Sequence, residues 1–189
     1  ASAGAISSLV LCCVVHNIYS VDYWFNNIYL EILQKITKSQ NGALFKIDKL
    51  IPEIIRKSYF IIKSKQSSSS FLNNRYHLSV TEFPSFHKRI IDNFLDCNQL
   101  IKWITISCYA PFLNTNISFN LEGKHYGDGI FNNQLPNRFE DSHKIYFTII
   151  EHHKKNCQNI NIKKWGNLTY FDMWMWGDIN YAKKLYFQG

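Results

Sequence analysis

The chain opens on Ala1-Ser2-Ala3-Gly4, and an apolar run from Ile6 to Val15 follows at once. A serine hydroxyl is a weak nucleophile until a base takes its proton and donors hold the oxyanion. A strand-to-helix elbow, the turn of a G-x-S-x-G motif, exposes such a serine on a strained and crowded backbone, so its flanking residues must be tiny. Ala1, Ala3 and Gly4 meet that requirement. The expectation is then that the first Gly of the motif, and the strand leading to it, lie upstream of Ala1. The Ala3 amide would open the next helix, where N–H groups and the dipole favour negative charge. The same stretch also fits a small-residue helix start with Ser2 as a plain N-cap.

A base is available 126 residues downstream. Asp128 stands between Gly127 and Gly129 in the stretch HYGDGIFNNQLP. Glycine neighbours let a backbone come close without side-chain collision. A carboxylate there can approach Ser2 and take its proton. Asp128-Gly129 also reads as a tight hairpin turn. A Ser-Asp-His order is formally present too, with His143, His152 or His153 as the third member. His152, His153 and Cys157 do not complete a four-ligand metal set, and a solvated loop suits them better. Lys154, Lys155, Lys163 and Lys164 fit a soluble face better than a headgroup site. Phe171, Trp174, Trp176, Tyr186 and Phe187 suit packing on a sheet, or the border of an acyl groove.

These residues need elements to position them. Ala3 to about Tyr19 is small or apolar on all sides, the pattern of a buried helix. Ile28, Ile32 and Ile36, with Tyr29 and Leu33, form a helical stripe. Asp48–Ile62 predicts a helix with Pro52 in its first turn. The polar loop 64–70 precedes an alternating strand, with Leu78 and Val80 on one face and Ser79 and Thr81 on the other. Leu95–Ile106 reads as a helix. The run 143–151 reads as a strand buried on both faces, as in a parallel sheet. The tail 169–189 is helical in pattern. Alternating strands and helices point to one α/β layered domain over residues 1–189, with ligands at the carboxyl edge of its sheet.

Composition narrows the partners. The 189 residues carry a formal charge of +7, are 46% hydrophobic and 16% aromatic. Of the 21 basic residues, 17 are Lys and they are scattered. The planar Arg fork that reads bases is scarce, which argues against nucleic acid. Five cysteines without a C-x-x-C pair point to unpaired thiols in a reducing compartment. The apolar start is shorter than the ~20 residues that cross a bilayer.

ASAG before an apolar helix, then YHLSVTEF, ISCYAPF and YGDGIFNNQLP in that order, resembles the patatin-like phospholipases, in the branch of adiponutrin and adipose triglyceride lipase. The resemblance maps the family's serine-cysteine-proline stretch to Ser107, Cys108 and Pro111. It maps the asparagine-proline stretch to Asn133 and Pro136. It implies a three-layer α/β domain with a central, mostly parallel sheet flanked by helices, its N-terminal strand missing here. It implies a Ser2–Asp128 dyad, with Ala3, Gly4 and Gly129 supporting the elbow and oxyanion. Ser2 would attack a glycerolipid ester, Asp128 would take its proton, and water would hydrolyse the acyl-enzyme. Such an enzyme needs no cofactor and no metal. Its partners are a phospholipid or acylglycerol substrate and a membrane or lipid-droplet surface, met from the cytoplasm. The chain departs from the family at Ile130, where Gly or Ala is usual, and the family's Gly-rich oxyanion loop would lie upstream of Ala1. Two other readings stay open: an inactive lipid-binding or scaffold module, and a Ser-His-Asp esterase of small soluble esters.

Overall fold

The computed structural model describes residues 2–38, 46–65, 69–110, 114 and 116–132, the strands 144–148 and 157–161, and Lys183 and Tyr186. Helix α1 is Ala3–Val15. Helix α2, Val21–Trp24, runs through a π-turn at Phe25–Tyr29 into α3, Leu30–Thr37. Helix α4 is Ile47–Lys65 and α5 is Cys97–Ser107. Strands β1 (Leu78–Phe83), β2 (His87–Ile91), β3 (Phe119–Leu121) and β4 (Lys124–Asp128) form one sheet in the order β2-β1-β4-β3.

Mixed helix and strand is as expected, but the sheet direction is not. Every pairing in the four-stranded sheet is antiparallel. The cause is local. Pro84–Phe86 turns β1 straight back into β2, and Glu122-Gly123 turns β3 into β4. Both residues of the second turn have positive φ, 53° and 78°, which suits a two-residue hairpin between twisted strands. The hairpin turn of this region is therefore at Glu122-Gly123, and Asp128-Gly129 leads instead into a 3₁₀ turn, Gly129–Asn132. The run read as a central parallel strand does form a strand, β5 (Lys144–Thr148). It pairs in parallel with β6 (Cys157–Asn161) as a separate two-stranded sheet.

Strand β1 lies between β2 and β4 and is buried on both faces from Leu78 to Thr81. The alternation of Leu78 and Val80 with Ser79 and Thr81 therefore does not mark a wet face. The Ser107 hydroxyl donates to the Ser79 carbonyl (2.9 Å), and the Thr81 hydroxyl donates to the Asp128 carbonyl (2.8 Å). The Ser107 and Thr81 hydroxyls so replace the solvent they leave, whereas the buried Ser79 hydroxyl has no hydrogen-bond partner among the described residues. On the core side, α5 packs on β1 and β4, and α4 packs on α5. Leu9, Ile55, Ile62, Leu78, Val80, Leu100 and Ile104 share that core.

Two helix expectations change. Helix α1 buries Ala5, Ile6, Leu9, Val10 and Cys13, but Leu11 and Val15 are exposed, so it is one-sided rather than enclosed. Pro52 lies inside α4, not in its first turn, because the helix begins at Ile47. Lacking an N–H, it leaves the Asp48 carbonyl without its helical partner. Among the described residues no helix is long and apolar enough to cross a membrane.

Candidate active site

Ser2 enters α1 with φ 55° and ψ −142°. A side chain with positive φ is strained, and such strain persists only where neighbours hold it. Three bonds hold Ser2. Its N–H donates to the Ser107 carbonyl (2.7 Å) and its carbonyl accepts from the Ala5 N–H (2.8 Å). The buried Cys108 thiol donates to the same carbonyl (3.2 Å). The Ser2 hydroxyl does not cap α1. It lies beside the Asp128 carboxyl instead and favours the charged form of that group.

Asp128 ends β4 and is 1% exposed. Its N–H donates to the Tyr109 carbonyl (3.0 Å), one residue past Cys108. Three consecutive residues leaving α5, Ser107, Cys108 and Tyr109, thus hold both Ser2 and Asp128. The Ile130 N–H donates to Oδ1 of Asp128 (2.9 Å). Oδ2 is buried and accepts no fully formed hydrogen bond among the described residues. The Ser2 hydroxyl thus lies near the carboxyl without forming a hydrogen bond to Oδ2.

Burial pushes the Asp128 carboxyl above its ordinary range, and the Ile130 N–H and Ser2 hydroxyl oppose that rise. The combination suits a base, because a carboxylate held out of water accepts a proton more readily than a solvated one. Burial first, then the Asp128 charge, pushes the Cys108 thiol far up. It stays protonated, a neutral donor and not a nucleophile.

Of the glycines, Gly127 has the role expected of it. A Cβ there would meet the Phe83 ring at 2.7 Å and the Tyr109 carbonyl oxygen at 3.4 Å. Gly129 is buried and opens the turn that carries Ile130. Gly4 does not show the crowding expected at an elbow: a Cβ there meets nothing within 4 Å. Its N–H and that of Ala3 are first-turn donors, which an α-helix leaves without internal acceptors. They are the candidate oxyanion donors.

The structure brings Ser2 and Asp128 together. No histidine is among the described groups that act on the Asp128 carboxyl. His16 contacts Arg75 and Phe71, His77 contacts Asp92, and His125 contacts Ser118. His143, His152 and His153 lie outside the described residues, as do Ala1, Pro111, Asn133, Pro136, the Lys154, Lys155, Lys163 and Lys164 group, and Phe171, Trp174, Trp176 and Phe187. Of the tail aromatics Tyr186 is described, and it stacks on Phe25 (3.9 Å between centroids) rather than on a sheet. Among the described residues no cluster of His, Cys, Asp or Glu could hold a metal ion.

Sequence reasoning missed Thr81, Tyr109 and Tyr76, which set the backbone around the pair. The buried Tyr76 hydroxyl donates to the Ala5 carbonyl (2.6 Å) and fixes the first turn of α1. Their signal is faint, since each contact has a backbone group on at least one side. Comparison of the chain with protein-family models, with curated proteins and with solved structures gave no match.

Proposed function

We propose that the chain is a patatin-like serine ester hydrolase that releases acyl chains from glycerolipids through a Ser2–Asp128 dyad. One observation carries the reading: a strained serine at a helix N-terminus, its hydroxyl turned from capping toward a buried carboxylate. The ordered resemblance to the patatin-like family supports it and names the substrate class. On this reading the described elements belong to a three-layer α/β domain that works peripherally on a lipid surface.

The chemistry divides between the two side chains. Ser2 Oγ attacks the ester carbonyl as Asp128 accepts its proton. The developing oxyanion faces the Ala3 and Gly4 N–H groups at the positive end of α1. Collapse breaks the ester C–O bond, and the alcohol leaves with the proton from Asp128. Water then attacks the acyl-enzyme, giving its proton to Asp128, and Ser2 departs reprotonated as the fatty acid is freed.

Ser2→Ala and Asp128→Asn are each expected to lower fatty acid release from phospholipid and triacylglycerol dispersions by at least about 10³-fold, with the double variant little worse than either single one. Circular dichroism checks the fold. Full activity in Asp128→Asn, with loss in a His143, His152 or His153 variant, would instead favour a Ser-His-Asp esterase. No hydrolysis by the parent protein, with lipid still bound, would favour a binding module.

A further inference from the structure

The turn that follows Asp128 carries two exposed apolar side chains, Ile130 (58%) and Phe131 (38%). The Phe131 ring lies 5.9 Å from that of Phe83, and Phe83 lies 5.0 Å from Phe86 in an edge-to-face contact. Phe86 is 57% exposed at the tip of the β1–β2 hairpin, at φ 55°. Three rings thus run in unbroken contact from the candidate base to the end of the sheet. Soluble surfaces scatter exposed apolar residues singly, and a contiguous set beside a site marks a place of contact.

The charge around these rings indicates what makes that contact. His87, Lys88 and Arg89 directly follow Phe86. The pairing of Phe83 with His125 brings Lys124 and the β3–β4 turn to the same end. Glu82 is tied to Lys124 (3.1 Å) and Arg89 donates to the Tyr126 hydroxyl (2.8 Å), so Lys88, Arg89 and Lys124 stand against Glu82 and Glu122 at this end of the sheet. The whole chain carries +7. Protruding apolar side chains in a cationic surround suit an anionic bilayer, where rings enter the headgroup boundary and cations meet phosphates.

We propose that Phe86, Ile130 and Phe131, braced on Phe83, form the ridge by which the protein seats on an anionic lipid surface, so that acyl chains leave the surface next to Asp128. The choice of lipid over a protein partner rests on the hydrolase reading above. The ridge gives a reason for Ile130 in place of a smaller residue: its N–H serves Asp128 while its side chain serves the surface.

The test separates docking from chemistry. Sedimentation with vesicles of phosphatidylglycerol and phosphatidylcholine is measured on the Ser2→Ala protein, which leaves the lipid intact. Phe86→Ser is expected to weaken binding about tenfold, the order expected for withdrawing one aromatic side chain from an apolar environment. Adding Phe131→Ser is expected to weaken it further, and raised salt or pure phosphatidylcholine to weaken all forms. In the Ser2-intact background, Phe86→Ser should lose more activity on vesicles than on a short soluble ester. Parent-like sedimentation of the double variant, or no sedimentation of the parent at all, overturns the ridge, the second result in favour of a protein occupant. Vesicle binding with hydrolysis undiminished by Ser2→Ala supports the ridge and overturns the dyad instead.

Discussion

Two helices of this molecule begin in opposite ways. Helix α5 starts from Asp96, whose backbone is extended (φ −151°, ψ 179°) and whose carboxylate accepts the Gln99 N–H at 2.8 Å. The Gln99 side chain reaches back to the Leu95 N–H, also at 2.8 Å. This reciprocal arrangement satisfies orphan donors and stabilises the helix by about 1 kcal/mol. Helix α1 starts from Ser2, a residue type that caps equally well, yet its hydroxyl caps nothing and its φ is 55°. Forgoing the cap and holding the strain together cost roughly 2–4 kcal/mol. The partner beside Ser2 is a buried carboxyl, itself costly to leave charged. On the proposed reading, these two unfavourable features, placed side by side and held by Ser107, Cys108 and Tyr109, serve chemistry rather than stability.

That contrast can be broken by experiment. The largest effect is expected at Ser2. Ser2→Gly removes the proposed nucleophile and the side chain that resists positive φ. Hydrolysis is lost, while stability rises by about 1–2 kcal/mol, less than the full strain because glycine also loosens the unfolded chain. For a domain of this size that is a Tm gain of about 2–8 °C in a thermal melt. A fall in Tm would show that Ser2 is an ordinary part of the helix start. Asp96→Ala gives the reverse pairing. Stability falls by about 1 kcal/mol, read in a denaturant titration, and hydrolysis is untouched. Equal loss of activity at Asp96 would erase the distinction between the two helix starts.

How much of this was legible follows from what each signal depends on. The helical stripe Ile28, Ile32 and Ile36, and the helices of α4 and α5, rest on local periodicity and stand where the spacing put them. The nearness of Ser2 and Asp128 was legible through the Gly neighbours of Asp128 and order along the chain. Sheet direction was not, because it is set by turns. Glu122-Gly123 has only glycine as a cue, and Asp128-Gly129 offered a stronger false one. Strand β3 is three residues long, too short to show alternation, and β2 carries His87, Lys88 and Arg89, which hide its strand character. The burial of Ser79 and Thr81 depends on the end of α5 and on Asp128, both distant in sequence. The Ser107–Tyr109 bracket acts through one thiol and two carbonyl groups. A backbone carbonyl is present at every residue, so no residue type announces it.

The smallest effect, a change in stability with pH, tests whether Asp128 is held charged at a cost. Its carboxyl titrates above the ordinary range in the folded protein, chiefly through burial. Between the unfolded and folded values the native state therefore binds more protons than the unfolded chain. Stability then falls as pH rises through that window and stays lower above it. Asp128→Asn carries no charge at any pH and keeps an oxygen to accept the Ile130 N–H. It is expected to melt above the parent at neutral pH, by less than Ser2→Gly gains. The difference should close as the pH drops below the folded value, where the parent carboxyl is neutral as well. Hydrolysis by the parent should decline over the same acidic window, because a protonated Asp128 cannot take the Ser2 proton. Thermal melts of both proteins across the acidic range, set against the pH profile of fatty acid release, make the comparison. A constant Tm difference at all pH values would show that the substitution acts through packing, and that the charge of Asp128 carries no folding cost.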